Sequence, residues 1–238
     1  MKKTALILII GMIIGNLTAT ENELWFKAQK FIENGINLVP GKIIETTIML
    51  NKKGKEKMRT ETILKTHKED DGVSVSFIEG IRGDEKLTEE DKQVKPNLEK
   101  DYKPTGETFF DNVTSYQLTS EEVIIDDKNC VVFEYTGEKI RLEGKKKKEK
   151  KTFITGKLWI EKSTGVPVMR EVSIDPLPKP LKEMKMKIYY TNIDNCCTES
   201  RAEAEMLISL LVMKIRMNSI TAYSEHWRYN GKIENVLH

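Results

Sequence analysis

Apolar and polar residues alternate with a period of two along most of this chain, the pattern of strands that bury one face. Ile44, Thr46, Ile48 and Leu50 oppose Ile43, Glu45, Thr47 and Met49, and Asn51-Lys52-Lys53-Gly54 then turns the chain into Met58 to His67. Asp70-Asp71-Gly72 supplies another turn before Val73, Val75 and Phe77, so three antiparallel strands are expected as a meander. Further strands are predicted at Ser115 to Leu118, Glu122 to Ile125 and Cys130 to Tyr135. Met184, Met186, Ile188 and Tyr190 share one face of a later strand, and Leu211, Met213, Ile215 and Met217 share a face of the last.

Helical spacing is rarer. Leu24, Trp25, Ala28, Phe31 and Ile32 fall on one face of a helix that Gly35 would stop and that Thr20 and Glu23 would cap, unless Thr20 is removed with a leader. Glu199 to Leu211 reads as a second helix, with an open boundary because Leu207, Leu211 and Ile215 also keep helical spacing. Between Ile81 and Asp111 the pattern breaks at Gly83, Pro96, Pro104 and Gly106, with only Leu87 to Asp91 suggesting a short helix. This segment is either a surface lid or binding loop, or an insertion without a task. Pro176, Pro178 and Pro180 mark a crossing that cannot donate ladder hydrogen bonds. The sum is an α+β domain: roughly eight to eleven strands in a curved antiparallel sheet around a helix, with two or three helices in all.

The N-terminus sets the compartment. Lys2 and Lys3 precede an apolar run, Ala5 to Ile14, that is too short to span a bilayer and is followed by Thr18-Ala19-Thr20. Residues 1–20 are therefore expected to be a cleaved secretory signal peptide and 21–238 the exported domain. Losing Lys2 and Lys3 brings the 39 basic residues level with the 37 acidic ones, a balance that argues against a general nucleic-acid binder. The exception is Lys145, Lys146, Lys147 and Lys148, followed by Glu149, Lys150 and Lys151. This run is either a solvated hairpin tip or a contact for anionic headgroups or an acidic partner.

Candidate catalytic chemistry is sparse. His67, His226 and His238 lie in no metal-ligand spacing, and no His-Glu-x-x-His, Gly-x-Ser-x-Gly or phosphate loop occurs. No enzyme, metal or cofactor is expected. In an oxidising compartment Cys130 could pair with Cys196 or with Cys197. Six of the ten methionines, 169, 184, 186, 206, 213 and 217, lie in the C-terminal third, where they serve either as core gap fillers or as a flexible wall for greasy ligands.

The most specific stretch runs from Gly156 to Ile174. Ile154, Gly156, Leu158 and Ile160 share one strand face, Phe153, Thr155, Lys157, Trp159 and Glu161 the other; Gly165 suits the turn, and Pro167 needs an unpaired side or a sheet edge. The run Leu158-Trp159-Ile160-Glu161-Lys162-Ser163-Thr164-Gly165-Val166-Pro167-Val168 resembles the hairpin of the LolA/LolB-like half-barrel superfamily of bacterial envelope proteins. That resemblance implies a periplasmic half-barrel with helices covering a concave face, and a carrier of lipid or lipoprotein acyl chains involved in lipoprotein sorting or lipid transport. It makes Trp25, Phe31, Phe153, Trp159, Met184, Met186, Met213 and Met217 candidate lipid contacts, with Trp25 and Phe31 either plugging the concavity or packing as ordinary core. A monomer with peripheral membrane contact is expected. The alternative is a non-catalytic interaction or stress-sensing module of the same fold, binding an envelope protein.

Overall fold

The computed structural model describes residues 22–70, 72–92, 94–99, 102–143, 148–210 and 213–230. The expected signal segment, the Thr20 cap, and Lys145, Lys146 and Lys147 lie outside these, and only the backbone of Lys148 is described. Helix α1 (22–34) leads into β1 (Leu38–Val39). A first meander follows: β2 (Lys42–Leu50), β3 (Glu56–Lys68), β4 (Val73–Arg82) and β5 (Glu85–Lys86). The chain crosses through a short helix α2 (Lys95–Leu98) and a 3-10 turn (Phe109–Asn112). The second meander is β6 (Val113–Ile125), β7 (Lys128–Glu143), β8 (Lys148–Glu161), β9 (Pro167–Asp175), β10 (Leu181–Ile193), β11 (Cys196–Leu210) and β12 (Met213–Ser224), and β13 (Trp227–Arg228) returns to pair with β1.

The two meanders join into one open sheet of eleven strands, ordered β5-β4-β3-β2-β12-β11-β10-β9-β8-β7-β6. Every pairing is antiparallel, and β2 closes onto β12. Among the described residues β5 and β6 are unclosed edges, so this sheet is open and not a closed barrel.

Residues 196–210 are strand, not the helix expected from Glu199 to Leu211. Their Ala and Glu content favours a helix locally, but Ala202, Ala204, Met206 and Ile208 also alternate with Arg201, Glu203, Glu205 and Leu207. With β10 on one side and β12 on the other over nearly its whole length, the tertiary ladders override local propensity. Leu87 to Asp91 is likewise not helical. Asp91 Oδ2 instead accepts the backbone N–H of Thr88 at 2.8 Å and its hydroxyl at 3.1 Å, an alternative to helix that short polar side chains offer.

The punctuation follows the sequence more closely. Gly54 and Gly165 take positive φ, 76° and 80°, in the β2–β3 and β8–β9 turns. Pro167 begins β9, while the β10 ladder starts only at Met169, so the side that lacks an N–H faces no partner strand. Gly35 ends α1 where a Cβ would overlap the Cys197 carbonyl oxygen.

Two buried clusters hold the sheet. On one face Trp25 and Ala28 of α1 pack on Phe110, Val131, Phe133, Tyr135, Leu158 and Ile160. On the other, Trp159 packs with Cys130, Val132, Val168 and Met169. All three cysteines are free, buried thiols, so neither of the alternative bridges, Cys130–Cys196 or Cys130–Cys197, is formed. Cys130 lies inside the Trp159 cluster, whereas the Cys196 sulfur accepts a hydrogen bond from Arg228 at 3.1 Å.

Candidate ligand-binding face

Because strand side chains alternate, cross-strand register assigns every sheet residue to one of two faces. The face under α1 is fixed by Trp25. Its indole stacks on Tyr116 at 4.2 Å between centroids, meets Phe110 edge-on at 5.1 Å and lies 5.4 Å from Phe133. Leu24 and Ile32 pack against the same cluster as expected, while Phe31 is only half-buried and belongs to neither buried cluster. Trp25 is therefore a core residue, with 2% of its surface exposed.

Followed across β10, β11, β12, β2 and β3 on this same face, the register places Met184 opposite Met206, Met206 opposite Met217, Met217 opposite Met49 and Met49 opposite Met58. Five methionines thus form one row across five adjacent strands. The adjoining row is Met186, Ala204, Ser219, Thr47 and Thr60, again without a charge. On the far side, Ile208 pairs with Ile215. Each of the five methionines is half-buried and none belongs to either buried cluster.

The opposite face of the same sheet is built differently. Glu134, Lys157, Glu171, Lys187 and Glu203 follow one another across β7 to β11. Lys157 meets Glu134 at 3.4 Å and Lys187 meets Glu171 at 3.2 Å, so this face is a solvated ladder of alternating charge. Hydrogen bonding and the nearby charge of Glu171 hold the Lys187 ammonium above its ordinary value. The reverse face is thus ionic across β7 to β11, while the α1 face carries uncharged methionine and small-residue rows across β10, β11, β12, β2 and β3, with Glu45 two residues along β2 from Thr47 on the same face.

The structure divides the candidate lipid contacts between these faces. Met184, Met186, Met213 and Met217 share the α1 face, Met213 being the most exposed of them at 53%. Trp159 and Phe153 lie on the opposite face, as their alternation with Leu158 and Ile154 requires, and cannot line one surface with Trp25. Trp159 is buried in its own cluster, and Phe153 is 49% exposed. Met49 and Met58 escaped sequence reasoning because they sit in the first meander. Only the β2–β12 junction, a long-range pairing with no local signature, brings them into the row.

No cluster of three or more His, Cys, Asp or Glu residues suited to a metal occurs among the described residues, and no described helix is long and apolar enough to cross a membrane. No family model matches the sequence, and no curated protein matches it. Among solved structures the chain is similar to a chain of the complex structure of Pseudomonas aeruginosa MucA/MucB, with 7% identity and a TM-score of 0.25 over 85% of this chain and 94% of that one. It is also similar to a chain of the crystal structure of MucB in complex with MucA(peri), with 6% identity and a TM-score of 0.25 over 86% and 94%. Similarity this distant assigns neither a family nor a function.

Proposed function

We propose that this is a non-catalytic, periplasmic binding protein that carries an acyl-chain amphiphile on the methionine-lined face of its sheet. The observation that supports the reading is the five-strand row Met184, Met206, Met217, Met49 and Met58, half-buried and uncharged, with the ladder of charges on the reverse side of β10 and β11. A sheet amphipathic in this sense needs an apolar occupant on one side. Methionine suits a chain of variable conformation because its thioether is unbranched and polarizable. Each methylene laid on such a surface contributes at most about 0.8 kcal/mol, so a long chain binds tightly without any ionic contact. In this reading the sheet curves as a half-barrel around the α1 face, and the leader at residues 1–20 delivers the domain to the periplasm.

The test is purification from the periplasm without detergent, followed by intact mass measurement under native and denaturing conditions. A native mass excess that disappears on denaturation, with acyl chains in the organic extract, is expected. Met206→Lys and Met217→Lys place a charge in the centre of the row and should abolish uptake of a fluorescent acyl probe while the protein stays folded. Undiminished uptake by both variants would overturn the reading.

A second reading draws on β6. Among the described strands this edge strand has a single neighbour, and it exposes Val123 at 38% and Ile124 at 74%. An edge of this kind accepts an extended segment of a partner by strand addition, which would make the protein an envelope interaction module. Ile124→Lys should then remove partner capture and leave probe uptake intact.

A further inference from the structure

One residue on the α1 face departs from its surroundings. Leu118, Phe133, Leu158, Arg170, Ile188 and Ala202 occupy successive positions of one row from β6 to β11, and Arg170 is its single charge. Phe133 and Leu158 are fully buried, and Ile188 is 4% exposed. A guanidinium in such a row is costly unless its donors are engaged. Arg170, whose charge opposes the upward push that burial gives the nearby Tyr135 phenol, has one partial compensation: its guanidinium carbon lies 4.1 Å from the Phe109 ring centroid. Its Nε is nevertheless buried without a hydrogen-bond partner, and no ion pair to a carboxylate forms among the described residues.

Arg170 also borders a cavity of about 380 Å³ between the end of α1, the segment from Tyr102 to Phe109, and strands β10 and β11. Ile32, Leu38 and Tyr190 give it apolar walls, and Lys103 adds a second cation. Two carboxylates reach the same space. Glu107 is bonded to Lys139 at 3.5 Å, and Glu199 lies on the Tyr190 and Tyr223 side, where it helps keep both phenols protonated. Along β10, Met186 and Met184 follow Ile188 on the same face at two and four residues, so the methionine row lies ~13 Å from the row of Arg170.

We propose that this cavity is an anion subsite in which Arg170 receives the carboxylate or phosphate head of the amphiphile whose chain lies along the methionine row. The assignment rests on the acyl-binding reading and names the ligand's class: a long-chain anion, not a neutral lipid. Arginine suits the task because its planar fork offers parallel donors to a carboxylate or phosphate while its face remains stacked on an aromatic ring.

The experiment compares palmitic acid with its uncharged counterpart hexadecanol as competitors of a fluorescent acyl probe on the exported chain. Wild type should prefer the acid by about tenfold or more, the usual worth of a charge-assisted hydrogen bond. Arg170→Met, which keeps an apolar stem, should lose that preference while hexadecanol competes unchanged. Arg170→Lys retains a point charge without the fork, provides a folded control should the methionine variant fail to fold, and should keep only part of the preference. Equal competition by acid and alcohol in wild type, or a full preference in both variants, overturns the subsite and leaves the acyl face standing. Failure of both competitors and of the probe itself overturns the acyl face and the subsite together. Displacement of palmitic acid by inorganic phosphate alone would reassign the cavity to a free anion and overturn its role as a headgroup site.

Discussion

Trp25→Ala is the perturbation that bears most directly on how α1 is held to the sheet. The indole is 2% exposed and has Phe110, Tyr116, Phe133 and Tyr135 within 6.4 Å, measured between ring centroids. Burial of roughly 200 Å² at about 25 cal/mol per Å² amounts to ~5 kcal/mol, from which the alanine methyl and partial collapse of the site subtract. The expected loss is therefore about 3–5 kcal/mol, the range seen for large aromatic truncations in cores. For a chain of this size each kcal/mol moves Tm by about 2–4 °C, so the melting point should fall by ~6–20 °C. Phe26, next in sequence and 59% exposed, is the internal control, and Phe26→Ala should cost less than about 0.5 kcal/mol. The assay is thermal unfolding followed by far-ultraviolet circular dichroism at one protein concentration. A shift below about 2 °C for Trp25→Ala, or equal shifts for the two variants, would refute docking of α1 through this face.

Trp159→Ala should also destabilise, because Trp159 is buried with Cys130, Val132, Val168 and Met169, yet it should leave acyl-probe affinity unchanged, since the indole lies on the opposite face. Gly156→Ala forces a Cβ into the Glu171 carbonyl oxygen and the Tyr135 ring and should cost about 1–3 kcal/mol in urea unfolding, whereas Gly72→Ala, with open space around it, should stay within about 0.5 kcal/mol. Burial pushes the Cys197 thiol and the Tyr102 phenol up to about 12 and raises Tyr190 and Tyr223 as well. The folded state therefore holds these protons more tightly than the unfolded chain. Stability should be level up to about pH 9 and then fall as pH rises towards 12, so a Tm that is flat from pH 8 to 11 would contradict the burial of these groups. Thiol titration should find all three cysteines reactive in denaturant without reductant and slow in the native protein; a single reactive thiol in denaturant would mean that a bridge forms after all.

Much of the sheet was legible because period-two alternation is a local signal. The β2–β3 turn at Asn51 to Gly54, the β8–β9 turn at Gly165 and the two faces of β8 all follow from adjacent residues. β11 was not legible, because Arg201-Ala202-Glu203-Ala204-Glu205-Met206 satisfies strand alternation and helix propensity alike, and the neighbouring strands decide between them. The candidate site was legible only in part. Three of the row's five methionines, Met184, Met206 and Met217, and the soft chemistry of that segment could be read from the sequence, but the row itself depends on the register of five strands, two of them more than a hundred residues away in sequence. Arg170 gave no signal at all: its neighbours in the chain suggest a surface residue, and only the cross-strand row shows it among buried apolar side chains.

The central claim is that an acyl chain lies on the methionine row. Photo-crosslinking with a fatty acid carrying a diazirine along its chain, followed by peptide mapping, tests it directly. Adducts are expected on Met184, Met206, Met217, Met49 or Met58 and their neighbours on the same face, reduced by excess palmitic acid. Adducts confined to the reverse face around Trp159 and Phe153, or none that palmitic acid suppresses, would contradict it.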